Sequence, residues 1–244
     1  MSLICRQNSC LTFIKIVCSP GKRFLSSNML GKAKPILYGD VASPPVRFAM
    51  MTASILNIDY DFHNIDLFKA ENNTDSYKKI NPLKKVPALS VNGEFIRDSH
   101  AIALYFCRNS GNQELYPEDS ILRAKIDEWL YFDAGVMFPI DSAIFTEYFA
   151  GKWPADEAKV KNWYLSLDHL EHTLGTQKWL TGDKIRLCDI CCAASVSSLE
   201  ILVPLSEQHN KVKEWLESLK SLPCFEINTR GLQRLQGFVR KVVS

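Results

Sequence analysis

No apolar run in this chain approaches the roughly 18 residues needed to cross a bilayer, so nothing in it reads as a transmembrane helix. A basic excess is missing too. The formal charge over 244 residues is only +2. Four of the cations, Arg6, Lys15, Lys22 and Arg23, sit in an opening stretch that holds no acid. Without those four the charge falls to −2, which leaves no electrostatic footprint for nucleic acid. Internal repeats and low-complexity tracts are absent. Metal-ligand spacing is also lacking. Of eight cysteines, Cys5, Cys10 and Cys18 lie in the opening stretch. Cys107, Cys188, Cys191, Cys192 and Cys224 follow no repeated pattern. Cys188, Cys191 and Cys192 share one helical face, but their run reads as a buried helix rather than a zinc or redox centre. No metal is expected, and free thiols fit a reducing cytosol.

What is present is a globular composition. With 46% hydrophobic residues the chain can bury one large core or two modest ones. Residues 1–33 read as a leader. It is basic, serine-containing and acid-free, as a mitochondrial transit peptide is. The alternative is translation from Met29, which favours a cytoplasmic protein. Residues 34–110 alternate strand and helix signals. Pro35–Tyr38 is a short apolar strand, and Pro44–Leu56 a helix with proline in its first turn, where a missing N–H costs nothing. Tyr60–Ile65 alternates with period two. Val86–Val91 and Phe95–Arg97 flank Asn92-Gly93, a strong hairpin signal. Ser99–Cys107 is helical. The order β-α-β-(α)-β-β-α predicts a small mixed sheet with helices, as in thioredoxin-like domains. A polar linker then leads to an all-helical part over 119–244, with helices at Ile121–Phe149, Asp156–Thr173, Cys188–Leu202 and Lys211–Leu219. Gly135 and Pro139 should bend the first of these.

In such a domain the turn after the first strand is the reactive position. It holds Ser43-Pro44-Pro45-Val46 and no cysteine, which excludes disulfide exchange by a protein dithiol. A serine hydroxyl at a helix start can instead donate to a bound thiolate, with free helix N–H groups and the dipole favouring the same charge. The alternative reading of Ser43 is a plain N-cap. Asp98-Ser99 precedes a second helix. Ser99 can cap it and bind a carboxylate, while Asp98 accepts from an α-ammonium group. The alternative is an ordinary capping pair. If Pro87 is cis, Val86 can offer its backbone to an extended peptide.

Together, Ser43-Pro44-Pro45-Val46-Arg47, Asn81-Pro82, Val86-Pro87-Ala88-Leu89 and Asp98-Ser99-His100-Ala101-Ile102, followed by a helical half, resemble the cytosolic glutathione S-transferases. The Ser-Pro-Pro-Val-Arg form is similar to the insect delta and epsilon classes. Likeness to an epsilon-class member that serves ecdysteroid biosynthesis runs on through Gly231-Leu232 and Leu235. The resemblance implies a transferase with glutathione as co-substrate and a homodimer. It implies Ser43 at the glutathione sulfur, Val86 and Pro87 at the cysteinyl unit, and Asp98, Ser99 and His100 around the glutamyl end. It also implies a steroid substrate with Asp141 accepting from its hydroxyl. Phe138 and Phe145, at i−3 and i+4 from Asp141, would share that apolar cleft. The alternative for Asp141 is an exposed helix acid. Two departures stand out. Lys84 or Lys85 could supply a cation to the glycyl carboxylate in place of the usual histidine, and Arg186-Leu187-Cys188-Asp189 lacks the usual hydroxyl cap. A non-catalytic steroid carrier or interaction protein on the same fold is the rival reading.

Overall fold

The computed structural model describes residues 33–243. The readings of a transit peptide and of a start at Met29 lie outside the described residues. Strand β1 (Ile36–Gly39) runs parallel to β2 (Asp61–Asn64) and antiparallel to β3 (Ala88–Val91), which pairs antiparallel with β4 (Glu94–Ile96). The sheet order is β2-β1-β3-β4. Asn92 and Gly93 turn the β3–β4 hairpin with φ of 52° and 88°, the positive pair that a tight two-residue turn demands. Helices α1 (Pro44–Ile55), α2 (Asp75–Ile80) and α3 (Ser99–Ser110) complete the thioredoxin-like half.

The helical half follows the expected plan with two corrections. First, Ile121–Phe149 is not one helix. Helix α4 (Ser120–Phe132) passes through a π-helical turn, Asp133–Met137, into α5 (Phe138–Phe149). Pro139 has no N–H to give the carbonyl of Gly135, and its ring crowds that carbonyl, so the ladder rearranges there. Second, α7 (Leu187–Leu199) stops short of Leu202. A long α9 (Phe225–Val243) follows α6 (Glu157–Leu174) and α8 (Asn210–Lys220); it lies within the all-helical 119–244, where the sequence pattern gives no bounds for a helix after Leu219. Every residue of α7 is buried, as a helix without a polar face must be. Helix α1 packs on α3, α7 and α9, so the loop that opens α1 is braced by both halves.

Candidate functional site

The β1–α1 loop is fixed before Ser43 is reached. Asp40 is fully buried. It accepts from the N–H of Ala42 at 2.9 Å, that of Leu67 at 3.1 Å, and Arg234 of α9 at 2.7 and 2.9 Å. Arg47, 0% exposed, donates to the carbonyls of Val41 (3.1 Å), Ala42 (2.6 Å) and Ala194 (3.4 Å), to Asn228 Oδ1 (2.8 Å) and to Ser198. Burial pulls its pKa down to about 10, against the attraction of Asp141 and Asp40, so it stays charged. Gly231 leaves the room for this. A Cβ there would overlap Arg47 Cδ and the Val41 carbonyl oxygen.

Ser43 is the N-cap of α1, yet its side chain makes no capping hydrogen bond. The residue is only partly buried. The expected free N–H groups are not there. Pro44 and Pro45 have none, and those of Val46 and Arg47 both donate to the Ser43 carbonyl at 3.1 Å. What remains for an anion is the hydroxyl, at a helix end whose first turn holds no acid.

The Val86–Pro87 bond is cis. Val86 is half-buried, and its backbone bonds to none of the described residues. The preceding loop is well anchored. Tyr77 Oη and Asn81 Nδ2 donate to the Lys85 carbonyl at 2.9 and 2.7 Å, and Asn72 Nδ2 to that of Lys84 at 2.9 Å. The Lys84 and Lys85 side chains are exposed.

The cap of α3 is Asp98, not Ser99. Asp98 accepts from the N–H of Ala101 at 3.0 Å, while Ser99 is the first helical residue and is buried. Asp98 has its side chain 65% exposed, open to an ammonium group. A hydrogen bond from His100, outweighing its partial burial, holds its pKa below the usual range. His100 itself turns inward. Its Nε2 lies 3.1 Å from Asp133 Oδ2 and 3.2 Å from Cys191 Sγ, and its Nδ1 3.6 Å from Asp98 Oδ1. Burial alone would lower its pKa, but bonds to Asp133 and Asp98 raise it to about 9.

On α5 the three predicted residues divide. Phe138 lines a cleft of about 470 Å³ together with Lys85, Pro139, Ser142, Thr146 and Lys159. Asp141 and Phe145 are not among the residues lining it; both are buried on the inner face. Asp141 is therefore no exposed helix acid. It is 3% exposed, and Oδ1 has no hydrogen-bond partner among the described residues. Burial lifts its pKa well above the carboxylate range, with Arg47 opposing and Asp133 adding to the rise.

Sequence reasoning missed Arg47 as the brace of the loop, Asp133 as an inward-facing acid, and Arg234. The only hints were Arg47 within the Ser43–Arg47 motif and the Gly135–Pro139 break beside Asp133. The missing cap of α7 is made good by its acid. Asp189 accepts from the N–H of Arg186 (2.8 Å), the N–H of Leu180 (2.9 Å) and Trp215 Nε1 (3.0 Å). The Arg186 side chain, a pure donor, takes no part in that cap.

Comparison with known proteins matches this geometry. Residues 37–114 fit the family described as Glutathione S-transferase, N-terminal domain, and 134–223 the Glutathione S-transferase, C-terminal domain. Glutathione S-transferase 1 of Manduca sexta is 35% identical over 199 residues, covering 78% of this chain and 89% of that protein. An epsilon-class glutathione S-transferase from the housefly Musca domestica has a TM-score of 0.81 at 33% identity, over 86% of this chain and 98% of that one. A glutathione transferase homologue from Drosophila mojavensis with bound glutathione has a TM-score of 0.81 at 32% identity, over 85% of this chain and 97% of that one.

Proposed function

This chain belongs to the glutathione S-transferase family, and we propose that it conjugates glutathione to an apolar electrophile, with Ser43 holding the attacking thiolate. The observation that carries this reading is the unused hydroxyl of Ser43 at the start of α1. A hydrogen bond to the charged sulfur favours the thiolate over the thiol, and the thiolate is the nucleophile. Asp98 and Ser99 take the glutamyl end, with His100 behind them. The free backbone of Val86, next to Pro87, pairs with the cysteinyl unit, and Lys84 or Lys85 meets the glycyl carboxylate. Residues 34–110 thus carry the glutathione site and 119–244 the apolar site.

For the second substrate we infer a sterol or ecdysteroid precursor. The chain resembles Noppera-bo, the epsilon-class transferase of ecdysteroid biosynthesis, and the buried, unpartnered Oδ1 of Asp141 supports the reading. A ligand hydroxyl reaching the inner face of α5 would supply the missing partner. Exposed Ile121 and Tyr131 on α4 support a homodimer. None of the helices among the described residues is long and apolar enough to cross a membrane. The test is turnover of an aryl halide with glutathione. A hydrogen bond to a charged group contributes about 1.5–3 kcal/mol, so Ser43→Ala should lose roughly 10- to 100-fold in rate. Equal rates would remove Ser43 from catalysis. A protein that binds steroid tightly and never consumes glutathione would be a carrier.

A further inference from the structure

We propose that His100, Asp133 and Cys191 form a binding site for a soft divalent cation, of which zinc(II) is the ordinary cellular example. The three residues come from three elements: α3, the π-helical turn and α7. Their ligand atoms converge. His100 Nε2 is 3.1 Å from Asp133 Oδ2, and Cys191 Sγ is 3.2 Å from Nε2 and 3.3 Å from Oδ2. Imidazole, carboxylate and thiolate are the three donor types zinc takes from proteins. Tetrahedral bonds of about 2.0–2.3 Å put neighbouring donors roughly 3.4–3.6 Å apart. The triangle need open by only a few tenths of an ångström to admit the ion.

The surroundings match what such a site requires. A ligating histidine donates its other nitrogen to an outer carboxylate or carbonyl. Here His100 Nδ1 faces Asp98 Oδ1 at 3.6 Å and Ser99 Oγ at 3.5 Å. Ser195 donates to Asp133 Oδ1 at 2.6 Å, which leaves Oδ2 for the metal. Cys192 is not part of the node; its sulfur faces the Trp129 carbonyl at 3.9 Å. The charges also close. On binding, His100 gives up its Nε2 proton and Cys191 its thiol proton. The thiolate and the Asp133 carboxylate then neutralise the dication, so the buried centre carries no net charge. Zinc keeps a fourth position for water or a substrate atom. The π-helical turn aims Asp133 at this point, and such turns concentrate at functional sites.

Without metal the same groups can simply share protons, and the experiment separates the two states. Cobalt(II) is titrated into the full chain, purified free of metal, and followed by absorbance. One equivalent should produce a thiolate-to-cobalt charge-transfer band with intense tetrahedral d–d bands, and one equivalent of zinc(II) should bleach both. Cys191→Ala should lose the charge-transfer band while keeping the wild-type circular dichroism. Ser195→Ala, which removes only the outer support of Asp133, should weaken affinity about 10- to 100-fold. A band that survives Cys191→Ala would come from another thiol, such as Cys5, Cys10 or Cys18, and would overturn the proposal. So would cobalt bound without any charge-transfer band, or no saturable binding.

Discussion

Gly231→Ala tests how α9 braces the β1–α1 loop. In an open helix interior this change stabilises by up to about 1 kcal/mol, because alanine is the better helix former. Here the new methyl would overlap Arg47 Cδ and the Val41 carbonyl oxygen and lie 3.0 Å from Arg47 Cγ. One obstacle is backbone. The other is a side chain held by five acceptors. Neither can rotate aside, so α9 or the loop must retreat. Overpacking of a tight site costs about 1–3 kcal/mol. The upper end applies because a shift of Arg47 strains its buried hydrogen bonds. Set against the propensity gain, a net loss of about 2 kcal/mol is expected, or roughly 4–8 °C in Tm for a chain of this size. Gly237 is the internal control. It sits on the same helix, and a methyl placed there would meet nothing within 4 Å among the described residues, so Gly237→Ala should be neutral or stabilising. The loop displaced at 231 carries Ser43, so kcat with an aryl halide should fall along with Tm. Thermal melts and steady-state rates of both variants decide the matter. If Gly231→Ala melts at or above the wild type with full activity, α9 does not brace the loop, and the reasoning fails.

Other outcomes follow from the same contacts. Arg234→Met removes both charged donors from fully buried Asp40. Leaving that acid under-satisfied costs about 1–3 kcal/mol, which urea denaturation would read as a lower midpoint at unchanged slope. Asp141 has a folded-state pKa raised by burial, so the folded protein holds a proton that the unfolded chain releases. Its contribution is therefore largest below the unfolded value near ~3.9 and declines as pH rises toward the folded value. Asp141→Asn should raise Tm relative to wild type at pH 7.5, with the gap closing near pH 4. A gap independent of pH would mean that Asp141 is ionised in the folded protein.

The parts of the site written in local sequence were legible. A helix cap, a proline turn and a two-residue hairpin each depend on neighbours within about four positions. Ser43, Val86-Pro87, Asp98 and Asn92-Gly93 could therefore be placed. The same local rules predicted a bend at Gly135 and Pro139, although not that it would take π form. What escaped was long-range. The partners of Arg47 lie as far away as Ala194, Ser198 and Asn228, and no periodicity links them. The burial of Asp133 depends on Cys191 and Ser195 reaching it from α7. Asp98, not Ser99, caps α3; both residue types cap well, and only backbone geometry separates N-cap from first helical residue. The two prolines that follow Ser43 already remove half of the four N–H groups a helix start offers.

The electrostatics around α1 bear on the steroid role proposed for Asp141. Among the described residues, Arg47 is the cation whose attraction offsets the burial of that carboxyl, and it is already committed to five acceptors. Asp133 pushes the other way. Asp141 therefore keeps its proton far into the range where surface acids have lost theirs. A protonated carboxyl both donates and accepts, so it can meet a steroid hydroxyl or a ketone without carrying charge. Asparagine has the same shape and the same two capabilities, and Asp141→Asn should retain steroid affinity within about threefold. Asp141→Leu keeps volume but removes the partner. A ligand oxygen left unpaired in a buried site costs about 1–3 kcal/mol, or roughly 5- to 150-fold in Kd. Fluorescence titration of wild type, Asn and Leu variants with one hydroxysteroid gives the comparison. Equal losses in the Asn and Leu variants would show that the bound state needs the charged carboxylate, and the neutral-acid account of Asp141 would be wrong.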